Sequence, residues 1–253
     1  MLDAVHEAGR GLLDEFGKVK DLRYPVGDAR KVVADADAGA ARTLRGVLLE
    51  ADPAIGLLME GSEEIEGQAR AVRWVVDPLD GTANFERGLA HWAISVALEV
   101  EGEIVAGVVH DPVRQETFSA CQGSGAFLNG EAPLRTSERG ILGQGMLATG
   151  MPPGGSEHFP VALASFDKLL RASAGVRQWG AAALDLAYVA AGRLDGYWNR
   201  NLKPWHYAAG LLLIREAGGL VEPLEGGPEE VDNGDLVGIS ADLFPEFAAT
   251  LRG

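Results

Sequence analysis

The chain has 253 residues, 47% of them hydrophobic, which is enough apolar material to bury a core in one large domain or two closely packed halves. Acidic residues outnumber basic ones by 37 to 22, and the formal net charge of -15 argues against a nucleic-acid polymer as partner. Cys121 is the only cysteine, which excludes an internal disulfide or cysteine metal cluster, and no segment is typical of a signal peptide or membrane span; we therefore expect a cytoplasmic protein without a membrane partner.

The first half begins with two predicted amphipathic helices. Apolar residues recur at helical spacing over residues 2–16, and a second helical pattern starts at about Asp35. The period then changes, and short β-rich runs follow at residues 55–60, 72–77, 92–100 and 104–110. Residues 101–103, reading EGE, favour a hairpin turn between the last two runs, so we predict an antiparallel sheet covered by helices.

The second half alternates short strands with longer helices, which are predicted at residues 159–172, 181–191 and 204–217. The glycine- and proline-rich segment 150–160 is predicted as a flexible surface loop. We expect an α/β layered sandwich, α+β in character, with an N-terminal half (1–133) and a C-terminal half (134–253). The two halves form one compact unit and meet at a cleft, where a binding site is expected.

The segment WVVDPLDGTANFERG, residues 74–88, carries the clearest chemistry. A strand that ends at Asp77, is stopped by Pro78 and turns through LDGT would bring Asp77 and Asp80 to one point beyond the sheet. Two carboxylates at one point suit a hard divalent cation. The bare pentapeptide DPLDG is equally typical of an acidic turn, so the prediction depends on the longer string. Because two residues separate the aspartates, we expect water activated by a metal, rather than an aspartate, as the nucleophile.

The residues after Asp80 are typical of a phosphate-binding turn. Gly81 permits close approach of the backbone to an anion. Thr82 offers a hydroxyl group and a backbone N–H next to the predicted cation site. We therefore predict Gly81 and Thr82 as phosphate-binding residues.

The string DPLDGTANFERG resembles the signature of the inositol monophosphatase family, DP-(I/L)-DGT-x-NF-xx-G, at every fixed position. Downstream, WHYAAGLLLIREAGG at residues 205–219 is similar to the family motif W-D-x-A-(A/G)-G…EAGG. The resemblance extends over nearly the whole chain. It implies a magnesium-dependent phosphatase of the sugar-phosphatase fold type, with alternating helix and sheet layers, a smaller mixed sheet in the C-terminal half, and a homodimeric state.

The resemblance also implies roles for individual residues. The implied metal ligands are Glu60, Asp77, the backbone carbonyl of Leu79, and Asp80. Gly61 replaces a second family glutamate beside Glu60, and Ala41 replaces another. Asp37 and Thr82 are implied to orient the attacking water, with Glu60 also in the catalytic set. An aspartate near a helix start is, however, more often a cap or a dipole partner.

Three positions concern the second metal ion and the substrate. His206 stands where the family has an aspartate that binds the second metal, and imidazole suits manganese or zinc better than magnesium. A position in the first turn of a helix favours the neutral imidazole, so ligation remains an option beside an ordinary surface role. Asn199 replaces a family acidic residue that binds substrate hydroxyls, and an amide can still bind hydroxyls. Ala182 resembles another substrate-side position, although an alanine in an apolar helix is more often a packing residue.

These patterns predict a metal-dependent phosphomonoesterase acting on a small phosphorylated metabolite, either inositol monophosphate-like or a sugar phosphate. The expected cofactor is Mg²⁺, with Mn²⁺ or Zn²⁺ as alternatives because of His206. The rival interpretation is a degenerate, noncatalytic protein that binds a phosphate ligand or a partner. It is motivated by the missing carboxylates at His206, Gly61 and Ala41.

Overall fold

The fold is described from a computed structural model that covers residues 1–19, 26–69, 71–227 and 234–253. Among these residues the helices are α1 (Leu2–Val19), α2 (Val26–Ala51), α3 (Thr82–Glu86), α4 (Phe159–Ala172), α5 (Ala182–Ala190), α6 (Pro204–Glu216) and α7 (Phe244–Arg252). The strands are β1 (Gly56–Met59), β2 (Val72–Asp80), β3 (Ala93–Val100), β4 (Glu103–Asp111), β5 (Glu116–Cys121), β6 (Gly125–Leu128), β7 (Ala132–Pro133), β8 (Met146–Thr149), β9 (Gly175–Arg177), β10 (Gly196–Asn199), β11 (Leu220–Pro223) and β12 (Leu236–Ile239). None of the described helices is long and apolar enough to cross a membrane.

Strands β1 to β7 form a seven-stranded sheet in chain order. From β2 onwards the neighbouring strands are antiparallel, as predicted for the first half. The prediction is wrong at one edge, because β1 pairs with β2 in parallel. The predicted hairpin turn is confirmed: Glu101 and Gly102 have positive φ angles of 54° and 86° between β3 and β4.

Strand β2 continues through Pro78, so the prediction that Pro78 ends the strand is wrong. Asp77 pairs with Ser95 and Asp80 pairs with Ala93, which leaves two residues of β2 opposite one residue of β3. This is a β-bulge, an irregularity that tolerates the missing proline N–H. Residues three apart in a regular strand point to opposite faces, but the extra residue restores a common face. The bulge therefore lets Asp77 and Asp80 point the same way.

The helices and two sheets alternate in layers, which confirms the predicted fold class. Helices α1 and α2 cover one face of the first sheet, and their buried residues include Ala8, Leu12 and Leu44. Helices α5 and α6 lie between the two sheets, while α4 and α7 pack on the outer face of the second sheet. Apolar periodicity predicted α1 correctly except at its first residue, because Leu2 is 48% exposed. Helix α2 begins at Val26, earlier than its apolar pattern indicated.

The second sheet has the order β11-β12-β10-β8-β9 and is both smaller and mixed, as expected. Helix α4 has its predicted bounds, and α5 and α6 are each within one residue of theirs at both ends. Residues 150–158 are irregular, and the predicted loop is two residues too long because Pro160 lies in the first turn of α4. The division at residue 133 stays a prediction: the first sheet ends at Pro133, but one hydrophobic cluster contains both Val75 and Leu213.

Candidate active site

A pocket of about 270 Å³ lies where β2 meets the first turns of α3, α5 and α6. The predicted site residues that line it are Glu60, Asp77, Leu79, Asp80, Gly81, Thr82, Ala182, Asn199 and His206. Of the predicted set, Asp37 is not among the lining residues. The structure therefore brings together residues from five separate segments, while the role of each one remains a prediction.

Three of these residues form a cluster with the composition of a metal site. One donor atom from each of Glu60, Asp77 and His206 lies within 4.8 Å of the other two. His206 Nε2 is 3.7 Å from Glu60 Oε1 and 3.8 Å from Asp77 Oδ2. Glu60 directly follows β1, Asp77 lies at the bulge of β2, and His206 lies in the first turn of α6. Parallel pairing of β1 with β2 places the two carboxylates side by side.

Asp77 provides the strongest indication that this cluster holds a cation. The residue is 1% exposed, and its Oδ1 accepts a hydrogen bond from the backbone N–H of Leu79 at 3.0 Å. Its Oδ2 is buried and has no hydrogen-bond partner among the described residues. Burial raises the pKa of Asp77 well above its usual value, and the charges of Asp80 and Glu60 raise it further. A cation beside Oδ2 would remove both the unmet hydrogen-bonding capacity and the repulsion.

Asp80 lies on the same face of β2 but makes a different contact. Its Oδ2 accepts a hydrogen bond of 2.7 Å from the backbone N–H of Ala183, in the first turn of α5. Burial raises its pKa to about 6, and His206 and the Ala183 N–H oppose that rise. Leu79 lies between the two aspartates and lines the same pocket.

The pKa values of Glu60 and Asp37 show how far the charge of the cluster extends. The pKa of Glu60 is lowered, chiefly by His206, whose Nε2 lies 3.7 Å from Glu60 Oε1. The pKa of Asp37, half-buried on α2, is raised by burial and then by the charge of Glu60. Asp37 therefore lies close enough to sense Glu60 although it does not line the pocket.

Gly81 and Thr82 make the turn from β2 into α3. Gly81 has φ +94°, and a Cβ atom there would lie 3.0 Å from the carbonyl oxygen of His91. Only glycine adopts this conformation at low cost, and the backbone thereby approaches the pocket closely. Thr82 is exposed, begins α3 and lines the pocket.

His206 lies in the first turn of α6, where each of its ring nitrogens contacts a neighbouring N–H group. His206 Nδ1 lies 3.4 Å from the backbone nitrogen of Lys203, and Nε2 lies 3.1 Å from Trp205 Nε1. A neutral imidazole accepts a hydrogen bond at one nitrogen only, so the two contacts cannot both be made at full strength. The shorter contact is the one to Nε2, the nitrogen that faces the carboxylates.

Comparison with known proteins assigns this arrangement to a family. A model of the inositol monophosphatase family matches residues 2–252.

The chain belongs to the inositol monophosphatase family.

An inositol-1-monophosphatase of Rhizobium meliloti (strain 1021) is 46% identical over 237 residues, covering 94% of this chain and 89% of the relative. The protein named Nus factor SuhB of Escherichia coli (strain K12) is 40% identical over 220 residues, covering 87% and 82%. Among solved structures, the extragenic suppressor protein suhB of Bartonella henselae has a TM-score of 0.89 at 40% identity, covering 100% and 98%. The chain is accordingly a phosphoric monoester hydrolase of the inositol monophosphatase type.

Sequence analysis missed several residues that line the pocket. Asp185, 1% exposed, lines the pocket and lies 2.9 Å from His91 Nε2. Tyr197 and Thr149 line it as well. An aspartate inside the apolar run ALDLAYVA is a signal that could have been used, because an unpaired charge is costly in a buried helix. Nothing comparable distinguishes Tyr197 or Thr149 in the sequence.

Proposed function

We propose that this chain hydrolyses a small phosphorylated metabolite, inositol monophosphate-like or a sugar phosphate, in a reaction that depends on a divalent cation. The observation that carries the proposal is Asp77 Oδ2, which is buried without a hydrogen-bond partner among the described residues and faces His206 and Glu60. The substrate class is supported by the name of the Rhizobium meliloti relative.

The residues present fit a divalent cation. The ligands would be Glu60, Asp77, Asp80 and the carbonyl of Leu79. When bound, the cations supply charge that neutralises the phosphate and lowers the pKa of a water molecule. The oxygen ligands favour Mg²⁺, whereas His206 would favour Mn²⁺ or Zn²⁺. Ligation through His206 Nε2 requires its hydrogen on Nδ1, which gives up the 3.4 Å contact to the Lys203 nitrogen. It also takes the lone pair that accepts the Trp205 Nε1–H at 3.1 Å, so that hydrogen bond is given up as well.

The protein's own residues would bind and orient the reactants. Gly81 and Thr82 would hold the phosphate at the turn into α3, where the backbone approaches closely. Asp37 would pair with Thr82, and together they would orient the attacking water and direct it at phosphorus, opposite the leaving oxygen. Ala182 and Asn199, which also line the pocket, would contact the alcohol part of the substrate.

The test is a phosphatase panel with Mg²⁺, Mn²⁺ and Zn²⁺, in which wild type is compared with His206→Asp. Inositol 1-phosphate, glucose 6-phosphate and glycerol 1-phosphate sample the substrate class. We expect turnover with at least one metal, and a shift of the metal optimum towards Mg²⁺ in the variant. Absence of turnover in both proteins with every metal and substrate would refute the proposal.

A second candidate is a noncatalytic protein that binds a phosphate ligand or a partner. It is favoured by the absence of carboxylates at positions 41, 61 and 206, and by a relative that is named as a Nus factor. Tight binding of inorganic phosphate without turnover in the panel would support it. We also propose that the protein acts in the cytoplasm as a homodimer, without a nucleic-acid polymer or membrane as partner; light scattering after gel filtration tests the dimer.

A further inference from the structure

One part of the pocket wall, formed by Tyr197 and Asn199 on β10, has a hydrogen-bond polarity that can be assigned. The backbone N–H of Arg200 lies 2.7 Å from Asn199 Oδ1, and a backbone N–H can only donate. The amide oxygen must therefore face Arg200. The amide nitrogen then faces Tyr197 and donates to its hydroxyl oxygen at 2.7 Å.

This polarity directs the hydroxyl hydrogen of Tyr197 away from Asn199. No described residue accepts that hydrogen in a hydrogen bond, although Tyr197 is only 1% exposed and lines the pocket. The second N–H of Asn199 likewise has no acceptor among the described residues. Tyr197 and Asn199 thus offer hydrogen-bond donors to a ligand in the pocket. A buried donor without a partner is energetically costly.

A second pocket of about 240 Å³ adjoins the first and shares Gly150, Asn199 and Leu202 with it. Arg200 lines this second pocket with its side chain 10% exposed. Its terminal nitrogens pair with Glu225 and Asp235, but Nε is buried without a partner among the described residues.

The second pocket also lacks negative charge. None of the described residues that line it is acidic, in a chain whose net charge is -15, and His158 is a further lining residue. In the first pocket, the carboxylates belong to the metal cluster, to Asp80, or to Asp185, which is paired with His91. Carboxylates do lie beside the passage from Tyr197 to Arg200, but Asp185 is paired with His91, and Glu225 and Asp235 are paired with Arg200. The groups without a described partner are the hydroxyl hydrogen of Tyr197, one N–H of Asn199 and Arg200 Nε, and all three are donors.

We propose that the alcohol part of the substrate carries a second anionic oxygen group, a carboxylate or a second phosphate, which accepts hydrogen bonds from Tyr197, Asn199 and Arg200. The proposal rests on the phosphatase function proposed above and narrows its substrate class. A polyol brings hydroxyl hydrogens that need acceptors, and this wall does not provide them. An anionic group only accepts, and hydrogen bonds to a charged group are stronger than neutral ones.

The test compares substrates that differ in this group alone. 3-Phosphoglycerate and glycerol 1-phosphate differ by a carboxylate in place of a hydroxymethyl group, and fructose 1,6-bisphosphate and fructose 6-phosphate differ by a second phosphate. We expect wild type to favour the anionic member of at least one pair by roughly tenfold or more in kcat/KM. The pair that shows the preference identifies the group.

Two variants test the polarity. Asn199→Asp keeps the shape of the side chain but replaces the amide N–H donors with a charged acceptor. The Tyr197 hydroxyl would then donate to this aspartate rather than to the substrate. The preference for the anionic substrate should therefore fall to unity or reverse. Tyr197→Phe removes one donor and should reduce the preference several-fold, an independent measurement if the first variant folds poorly. Leu163→Ala, on an exposed part of α4 outside both pockets, is the control and should keep the wild-type ratio.

The outcomes separate this inference from the proposed function. Hydrolysis of all four compounds with equal kcat/KM, or a preference for the neutral members, would overturn the inference and leave the phosphatase function intact. If nothing is hydrolysed, the phosphatase function fails, and the same pairs are compared by calorimetric Kd in the presence of Mn²⁺. Equal Kd values would then overturn the inference, and a preference for the anionic members would support it.

Discussion

Replacing Asp77 by asparagine separates the metal-binding role of this residue from its structural role. Its two oxygens do different things: Oδ1 accepts the backbone N–H of Leu79, and Oδ2 is buried without a hydrogen-bond partner among the described residues. Asparagine can keep the first contact and loses only the charge. We expect Asp77→Asn to fold normally and to lose most of its affinity for divalent cations.

The magnitude follows from the spacing of the cluster. Two unit charges 4.8 Å apart, the largest separation within it, interact by about 3.5 kcal/mol at an effective dielectric constant of about 20. Without a cation, wild type avoids part of this repulsion because the raised pKa of Asp77 allows protonation. The metal-free variant should therefore be at least as stable as metal-free wild type, with a gain below that figure.

Thermal unfolding and calorimetry measure both effects. A cation at 100 times its Kd stabilises the folded state by about 2.7 kcal/mol, which corresponds to a rise in Tm of roughly 5–10 °C for a chain of this size. Wild type should show that rise with Mn²⁺ or Mg²⁺ over chelator, and Asp77→Asn should not. Equal rises in the two proteins, together with equal calorimetric affinities, would refute the assignment of Asp77 as a ligand.

Three further predictions concern other positions. His206→Asp should raise the affinity for Mg²⁺ relative to Mn²⁺ by roughly tenfold, because a carboxylate suits Mg²⁺ better than imidazole does; calorimetry with both ions checks this, and an unchanged ratio would contradict it. Gly81→Ala should cost about 1–3 kcal/mol in urea unfolding, because φ is +94° and the new Cβ would lie 3.0 Å from a carbonyl oxygen. Gly11→Ala in α1 is its control, since nothing lies within 4 Å, and should gain about 0.5–1 kcal/mol. Burial lowers the pKa of His110 from 6.5 to about 4, so the stability from its neutral form is present above pH 6.5 and is lost as the pH falls towards 4. Between pH 7.5 and 5, wild type should lose about 2 kcal/mol more than His110→Gln in urea unfolding, and parallel losses would exclude this residue as the cause.

The local parts of the site could be predicted from the sequence because they are continuous. One string of residues supplies Asp77, Leu79, Asp80, Gly81 and Thr82, and the structure places all five around one pocket. The mechanism of convergence was predicted wrongly. A stop at Pro78 was expected, whereas the strand continues and a bulge turns the aspartates to a common face. Standard strand periodicity does not reveal a bulge, because the extra residue depends on pairing with β3.

The remaining parts depend on tertiary contacts that no local pattern specifies. Asp185 lies beside His91, which is 94 residues earlier in the chain, and no local pattern connects the two. The charge of Glu60 raises the pKa of Asp37 although they lie on different elements. The direction of β1 relative to β2 also depends on tertiary structure. The hairpin pattern of the later strands predicts an antiparallel sheet, but β1 pairs with β2 in parallel. The path of the chain between the two strands sets that direction.

Positions 199 and 206 link the cation site to the choice of substrate. The resemblance implies a carboxylate at each, and this chain has an amide and an imidazole, on β10 and in the first turn of α6. At a fixed number of bound cations, each replacement leaves the pocket one unit less negative. Together they would offset the charge of a second anionic group on the substrate, so the two departures act in the same direction. Restoring both carboxylates should therefore weaken the preference for the anionic substrate more than restoring either alone. A double-mutant cycle on the ratio of kcat/KM values shows whether the two effects are additive or coupled.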